Sequence, residues 1–480
     1  MSSIQNANVS GVAPPDSKYT KSNAFNIDEI KIITSVGGEL ILTPDKWKVI
    51  DIYEDLFSNY VYAEIRVVDA QNLLRHGPII GQELVTIRFN TPGTDKRSKV
   101  FRIHKITDKV FDDTHKVQYY KLNLVSQEAF GNLNEKVNYS LQNMSAEKMV
   151  AFIFANHFPR SNLEISSYDK NTHSFVFPNR SPVYSINWLA KRAVNIHNTA
   201  DSSFIFYEDL DGFHFDTVMN LMRQKPLGPG GKPQPYELKA QNVRELPTSE
   251  FGKGLVDGMN NPGKIDFNKT YDKFSEAKKG MYASTLAVYD IVTKEYTART
   301  YDYLEHFNAL YDRDNTVQPM ISLSGNDRLN EKSNSLIHYK PSHLGLFGNA
   351  NIESIKENPD VYDNDKYHEY LLERKSLEQQ IASRQGGCQK LVMDVAGDST
   401  KRVGQTIELV VPSPEPHAGG EDFVEEYVSG RYLITSIRHT IDNLDYIMTL
   451  ELTRNALNST LPTSVDKQKV DNTSIVGSKL

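Results

Sequence analysis

The residues that could do chemistry are few, and they stand apart. His368-Glu369 opens like the helix of a zinc-dependent peptidase, in which a second histidine four residues after the first puts both ligands on one face, but that position is Leu372. Gly228-Pro229-Gly230-Gly231-Lys232 ends in the Gly-Lys of a phosphate-cradling loop. Pro233 stands where a magnesium-holding Ser or Thr belongs, and the neighbouring prolines preclude the helix whose N-terminus would face the phosphate. Cys388 and His417 carry no nucleophile-base signature, so Cys388 reads as a small half-buried hydrophobe. Glu421, Asp422, Glu425 and Glu426 lack the alternating oxygens and turn glycine of a calcium loop and read as a solvated hairpin tip. The 13 histidines are scattered. Asn138-Tyr139-Ser140 and Asn458-Ser459-Thr460 match the glycosylation acceptor pattern, which has no meaning in a cytoplasmic chain. The expectation is a protein that is not an enzyme, with no catalytic centre, no metal and no cofactor.

Composition agrees with that direction. A chain of 480 residues calls for two to four domains. Its 54 Lys and Arg against 61 Asp and Glu give a formal charge of -7, which argues against specific nucleic-acid binding driven by phosphate contacts. One cysteine permits no intrachain disulfide and suits a reducing compartment. No apolar run reaches the roughly 18 residues of a membrane span, and MSSIQNANVSGVAPP does not read as a signal peptide, so a soluble chain that begins in cytoplasm is expected. Twenty-five tyrosines beside two tryptophans suit contact surfaces as well as cores.

The elements that would position these residues are mostly strands. Ile30, Ile32 and Thr34 alternate into Gly37-Gly38, after which Leu40 and Leu42 resume, a hairpin signature. Val61 to Val68, Leu84 to Phe89, Phe101 to Ile106 and Tyr119 to Val125 add strands, enough for a small barrel or sandwich. Ser145 caps a predicted helix burying Met149, Val150, Ile153 and Phe154 and ending before Pro159. A second helix is predicted from about Ser185 with Ile186, Leu189, Ala190, Ala193 and Val194 inside, followed by a strand pair around Asp211-Gly212. The run 224–236, with four prolines and three glycines, reads as an exposed loop or linker. Strand-like alternation returns between 280 and 325, 326–364 shows no period, and Asp363 to Ser383 reads as a helix stopped by Gly386-Gly387.

A pattern near the start returns near the end. Ile79 to Ile87, containing Gly81-Gln82, has a counterpart in Arg402 to Leu409, containing Gly404-Gln405. Phe101 to Ile106 then matches Tyr432 to Ile437, and Lys121-Leu122-Asn123-Leu124 matches Thr449-Leu450-Glu451-Leu452. Three strands in one order predict two similar β domains with Gly81 over Gly404 and Gln82 over Gln405. Two such domains can occupy successive places in a ring, so that three chains present six similar domains about one axis. The predicted interface residues are Gly81, Gln82, Leu122, Leu124, Gly404, Gln405, Leu450 and Leu452, with the closing strands Lys121 to Val125 and Thr449 to Leu452 as the ring edges.

Arg431 to Asn443 continuing through Met448 to Ala456, the Trp-Leu helix and Phe-rich hairpin within Ile186 to Phe215, and the helix Asp363 to Ser383 followed by Gly404-Gln405 carry a resemblance. The chain resembles the central baseplate hub of contractile-tailed bacteriophages of the T-even type, which is related to the hub portion of type VI secretion spike proteins. The resemblance spans most of 27–460 as an order of elements, not as a sharp motif. It implies a mainly β, α+β fold with two similar tube-type antiparallel β-barrel domains and inserted α+β material. The expected layout is an arm over 1–26, a first β domain over 27–130, an α+β insert over 131–222, a Pro/Gly-rich loop over 223–250, a second part of the insert over 251–390, a second β domain over 391–460 and a tail over 461–480. It also implies a homotrimer in the virion baseplate, assembled in the host cytoplasm, that joins the sixfold tail tube to a threefold spike around a channel for DNA. Its implied partners are the central spike, the tube or tube initiator, baseplate wedge proteins and the tape measure protein. Two rival classes are a tail-associated cell-wall-degrading enzyme, which needs a carboxylate pair at a cleft, and a receptor-binding fibre, which needs long repeats or a stalk.

Overall fold

The structure is a computed structural model. It describes residues 23–238 except 113, 115 and 199–200; 259; 261–269; 283–302 except 291–293 and 295; 337–342; 389–413; and 424–454. The helix expected over 363–383, the Gly386-Gly387 stop, Cys388, His368, His417, Glu421, Asp422 and the tail from 461 lie outside these residues.

Seven strands form the first repeat: β1 (Asn26–Ile33), β2 (Glu39–Ile41), β3 (Trp47–Asp55), β4 (Tyr62–Asp69), β5 (Leu84–Asn90), β6 (Arg97–Asp112) and β7 (Val117–Ser126), with one helical turn α1 (Leu73–His76) between β4 and β5. Period-2 alternation buries Ile30, Ile32, Ala63, Ile65, Val85 and Ile87 on the core face. Gly37, at φ 83, supplies the turn that lets β1 pair with β2. The first arm ends sooner than 26, because Ala24 and Phe25 are already buried. Strand β3 has no counterpart in the sequence reading. Its WKVIDIYED interrupts the apolar alternation with Asp51 and Glu54, and both carboxylates are buried.

The insert holds α2 (Gln127–Asn134), β8 (Ser140–Ser145), α3 (Ala146–His157), β9 (Leu163–Ile165), β10 (Thr172–Val176), α4 (Pro182–Ala190), β11 (Phe204–Glu208), β12 (Phe213–Thr217) and α5 (Val218–Met222). As expected, Met149, Val150, Ile153 and Phe154 of α3 are buried, and they join Ile186, Leu189, Phe204 and Phe213 in a core of their own. Helix α4 begins at Pro182, three residues before the expected start, because proline fits the first helical position, where no amide donor is needed. It stops at Ala190, so Ala193 and Val194 are buried from the loop that follows.

The remaining strands are β13 (Tyr236–Glu237), β14 (Lys264–Lys269), β15 (Ala283–Asp290), β16 (Tyr296–Asp302), β17 (Ile337–Ser342), β18 (Gln389–Ala396), β19 (Thr406–Val410), β20 (Gly430–Asp442) and β21 (Tyr446–Arg454). Strands β15 and β16, in the stretch expected to be strand-like, pair antiparallel, and β17 joins β15 in parallel from a stretch in which sequence showed no period. The proline-rich run is exposed from Gly230 to Pro233, as expected of a loop, but it is not a free linker. Gly228, Pro229 and Tyr236 are buried, β13 pairs with β19, Leu227 N donates to Thr406 O at 2.8 Å, and Gly230 N donates to Asp398 Oδ2 at 2.7 Å. Lys401 Nζ, buried against this run, donates to Leu227 O at 2.6 Å. A loop without regular structure is held here by capping its carbonyls from a buried ammonium.

Among the described residues one sheet takes 13 strands, in the order β14-β18-β21-β20-β3-β4-β7-β6-β5-β1-β2, with β19 on β20 and β13 on β19. Within it the order β3-β4-β7-β6-β5 is repeated as β14-β18-β21-β20-β19. The registers repeat as well. Ile103 faces Leu124 and Ile434 faces Leu452, each followed by a bulge after which Ile106 faces Leu122 and Ile437 faces Leu450. Ala63 and Ile65 of β4 face Leu124 and Leu122, as Leu391 and Met393 of β18 face Leu452 and Leu450. The duplication therefore has five strands, two more than sequence resolved.

The Gly-Gln match is displaced by one residue. Ile103 N donates to Glu83 O at 3.0 Å, and Ile434 N donates to Gln405 O at 2.9 Å, so Glu83, not Gln82, occupies the place of Gln405. Burial agrees, since Val85 and Ile87 match Ile407 and Leu409. The two repeats share one core and one sheet, because β20 carries β19 along the first half of one edge and β3 of the other repeat along the second half, with Ser436 facing Asp55 through Asp442 facing Val49.

Candidate functional site

Where the repeats meet, the ladder between β20 and β3 is reinforced by side chains. Asp51 Oδ1 accepts from Arg438 Nε at 3.0 Å and from Thr440 Oγ1 at 2.8 Å, and the Arg438 guanidinium lies over the Tyr53 ring at 5.7 Å. His439 and Glu54 are fully buried, with Nε2 2.9 Å from Oε1. Tyr446 OH is 2.7 Å from His439 Nδ1. Burial pushes the Tyr446 phenol well up, so it stays protonated and donates to Nδ1, and the imidazole then gives its Nε2 proton to Glu54. Glu54 Oε1, the imidazole and the phenol thus form one hydrogen-bonded chain inside an apolar core, which fixes the register of the seam, while Glu54 Oε2 is buried without a hydrogen-bond partner.

The β11–β12 hairpin docks the insert on both repeats. Glu208 Oε1 accepts from Lys99 Nζ at 2.6 Å and Ser126 Oγ at 2.7 Å, and Oε2 accepts from Val61 N at 3.0 Å. Burial raises the Glu208 carboxyl to about 7, against the pull of Lys99. At the hairpin tip Asp211 binds Arg97 of the first repeat and, at 2.7 Å, Arg402 of the second.

Behind the hairpin a cleft of about 180 Å³ is lined by Glu164, Tyr207, Asp209, His214, Asp216 and Arg402. Its acids are engaged internally. Asp209 accepts from Asp211 N and Gly212 N and lies 2.9 Å from His214 Nε2 as an ion pair, while Asp216 is bonded by Ser167, Asn220 and Thr217 N. Burial disfavours the His214 cation, but Asp209 and Glu164 outweigh it and hold its pKa above the usual value. Carboxylates tied to fixed donors serve to pin loops. Among the described residues no group of three or more His, Cys, Asp or Glu is placed to hold a metal ion, and no helix is long and apolar enough to cross a membrane.

The predicted interface residues divide into three kinds. Leu122, Leu124, Leu450 and Leu452 are buried core side chains on β7 and β21, both of which are flanked by strands on either side, so these strands are central and not ring edges. Gly404, at φ 82, is where the second repeat meets the hairpin: a Cβ there would sit 2.8 Å from Tyr207 Oη. Gln405 Oε1 accepts from Arg402 N at 3.3 Å in the preceding loop. Gly81, at φ 103, lies open, and with Gln82 it donates backbone N–H to the buried Glu83 carboxylate. Burial alone would raise that carboxyl, but the N–H groups of Ile80, Gln82 and Gly81 hold it below its usual value. The seam itself went unread in the sequence because its signal, two acids inside a strand, opposes the alternation that reveals strands.

No family model and no curated protein matches the chain in sequence. Among solved structures, the 43 kDa tail protein of prophage MuSo2 from Shewanella oneidensis is similar over 89% of this chain and 98% of its own, with a TM-score of 0.48 at 10% identity. A tail protein from Neisseria meningitidis MC58 is similar over 89% and 96%, with a TM-score of 0.46 at 10% identity. The E. coli c3393 protein, a component of the type VI secretion system, is similar over 92% and 79%, with a TM-score of 0.40 at 10% identity.

Proposed function

We propose that the chain is a structural baseplate hub of a contractile phage tail. Three copies form a pseudo-hexameric ring that joins the sixfold tail tube to the threefold central spike and leaves a channel for DNA. The observation that carries this reading is the five-strand repeat, with its order and bulge preserved, built into one continuous sheet. Two equivalent units in tandem let a threefold assembly offer six similar positions, which is what a sixfold-to-threefold adaptor requires. The order of elements that resembles the hub family supplies the tail setting. The domain layout follows with one refinement: the second β unit takes its outer strand, β14, from the material between the repeats. The spike, the tube or its initiator, wedge proteins and the tape measure protein are the proposed partners, and the virion baseplate is the proposed location.

The role asks for no catalysis, and the cleft acids already hold internal donors. The test is paired: light scattering of the full chain, and turbidity loss of a peptidoglycan suspension. A trimer that leaves peptidoglycan intact is expected. A monomer, or a chain that clears the suspension, overturns the reading.

A further inference from the structure

The repeat leaves one joint made and its equivalent unmade. In the second repeat, the half of β20 beyond its bulge is covered by β3, from Ser436 to Asp442. The same half of β6 carries β7 on one side, and among the described residues no strand lies on the other. The equivalent of β3 in the second repeat is β14, which pairs with β18 as β3 pairs with β4, and among the described residues no strand lies on its other side. One chain therefore presents both halves of the joint it uses internally, at two different places.

The register can be carried over. β6 has one residue more than β20, absorbed between Thr107 and Val110, where Asp108 takes φ 55. Beyond that bulge the pairs Val110–Tyr119 and Phe111–Gln118 correspond to Thr440–Ile447 and Ile441–Tyr446. On the other side, Ile265–Met393 and Asp266–Val392 correspond to Ile50–Ile65 and Asp51–Glu64. In the internal joint Ile441 faces Ile50 and Thr440 faces Asp51.

Burial marks the same positions. Ile441 and Ile50 are 0% exposed, whereas Phe111, the counterpart of Ile441, is 56% exposed, and Phe267, next to the counterpart of Asp51, is 48% exposed. Val110 beside them is 58% exposed. Large apolar side chains on an open strand edge invite another strand.

We propose that residues 105–111 of β6 in one copy pair antiparallel with β14 of a second copy, with Phe111 opposite Ile265 and Val110 opposite Asp266, repeating between chains the joint between β20 and β3 within each. The inference rests on the ring reading and names the contact that closes it. Because the joint is head-to-tail, every copy has one of each edge, and neither of these two edges stays open once the ring closes. β2, the competing open edge at the other end of the sheet, is only three residues long.

The experiment uses the full chain with Cys388→Ser and two double variants, Phe111→Cys with Ile265→Cys and Val110→Cys with Asp266→Cys. Adjacent antiparallel pairs alternate between hydrogen-bonded and non-hydrogen-bonded, so one of the two pairs brings its Cα atoms to about 4.5 Å, within disulfide reach. Phe111→Cys with Ile41→Cys, on the β2 edge, is the control. Mild oxidation is expected to give reducible covalent dimers and trimers on a denaturing gel for at least one designed pair and not for the control. Light scattering on the same samples separates the two ideas. Trimers in solution with neither pair linked, or with the control linking as readily, overturn this joint and leave the ring standing. Monomers in solution overturn the ring, and the joint with it.

Discussion

Gly404→Ala tests how the insert is keyed to the second repeat. The backbone at 404 has φ 82, where a side chain costs about 1–2 kcal/mol. The added Cβ would stand 2.8 Å from Tyr207 Oη and 3.4 Å from both Tyr207 Cζ and Leu221 Cδ1. Tyr207 cannot swing aside freely, since it is 3% exposed and its ring stacks on His214 at 5.0 Å. Overpacking of this kind costs about 1–3 kcal/mol, so the substitution is expected to destabilise by about 2–5 kcal/mol in all. Tyr207→Phe removes the clashing oxygen and leaves only ordinary contacts, so Gly404→Ala in that background is expected to cost about 1–2 kcal/mol, the backbone part alone. Urea unfolding of the four proteins gives the coupling energy, expected at the overpacking part of about 1–3 kcal/mol. Additive costs, with the same loss in both backgrounds, would refute the packing argument.

Leu450→Ala and Leu122→Ala, at equivalent core positions, are each expected to cost about 2–5 kcal/mol by calorimetry or urea titration, because both leave cavities among fully buried neighbours. Glu54→Ala strips His439 of its acceptor inside the seam and is expected to cost about 2–4 kcal/mol, with loss of hydrogen-exchange protection along β3 and β20 before the rest of the sheet. Burial lowers the Lys401 ammonium to about 8 from an ordinary 10.5. The unfolded chain therefore holds a proton that the folded chain has released between those values, so stability from this group rises with pH across that window and levels off below 8, where both states are protonated. The unfolding free energy is expected to climb by about 2 kcal/mol more from pH 8 to 9.5 in the parent than in Lys401→Met; equal slopes would remove Lys401 as the cause.

What could be read in the sequence follows from what each element buries. The strand alternation of the first repeat, the helix α3 and the β11–β12 hairpin were legible because each buries an apolar face, although Ser145 makes no side-chain cap on α3 and bonds Glu147 instead. The last two strands of the repeat match leucine for leucine, Leu122 and Leu124 against Leu450 and Leu452, because those positions pack the same layer. The first match slipped by one residue because the glycines were aligned. In the structure, Gly81 serves a carboxylate nest around Glu83, and Gly404 serves a close approach to Tyr207, so they share a residue type without sharing a place. Strand β3 was hidden by Asp51 and Glu54, whose partners Arg438 and His439 lie nearly 400 positions on. The ring edges were misplaced because strand order depends on pairings that no local pattern encodes. β7 and β21 close the repeats in sequence but sit at their centres in space.

The most direct measurement is electron microscopy of the purified full chain, with class averages viewed down the particle axis. The account predicts a closed ring of three copies, 54.4 kDa each, showing six similar lobes about an open centre. Compact monomers, dimers related by a twofold axis, or a threefold particle whose two repeats lie at different radii would contradict it.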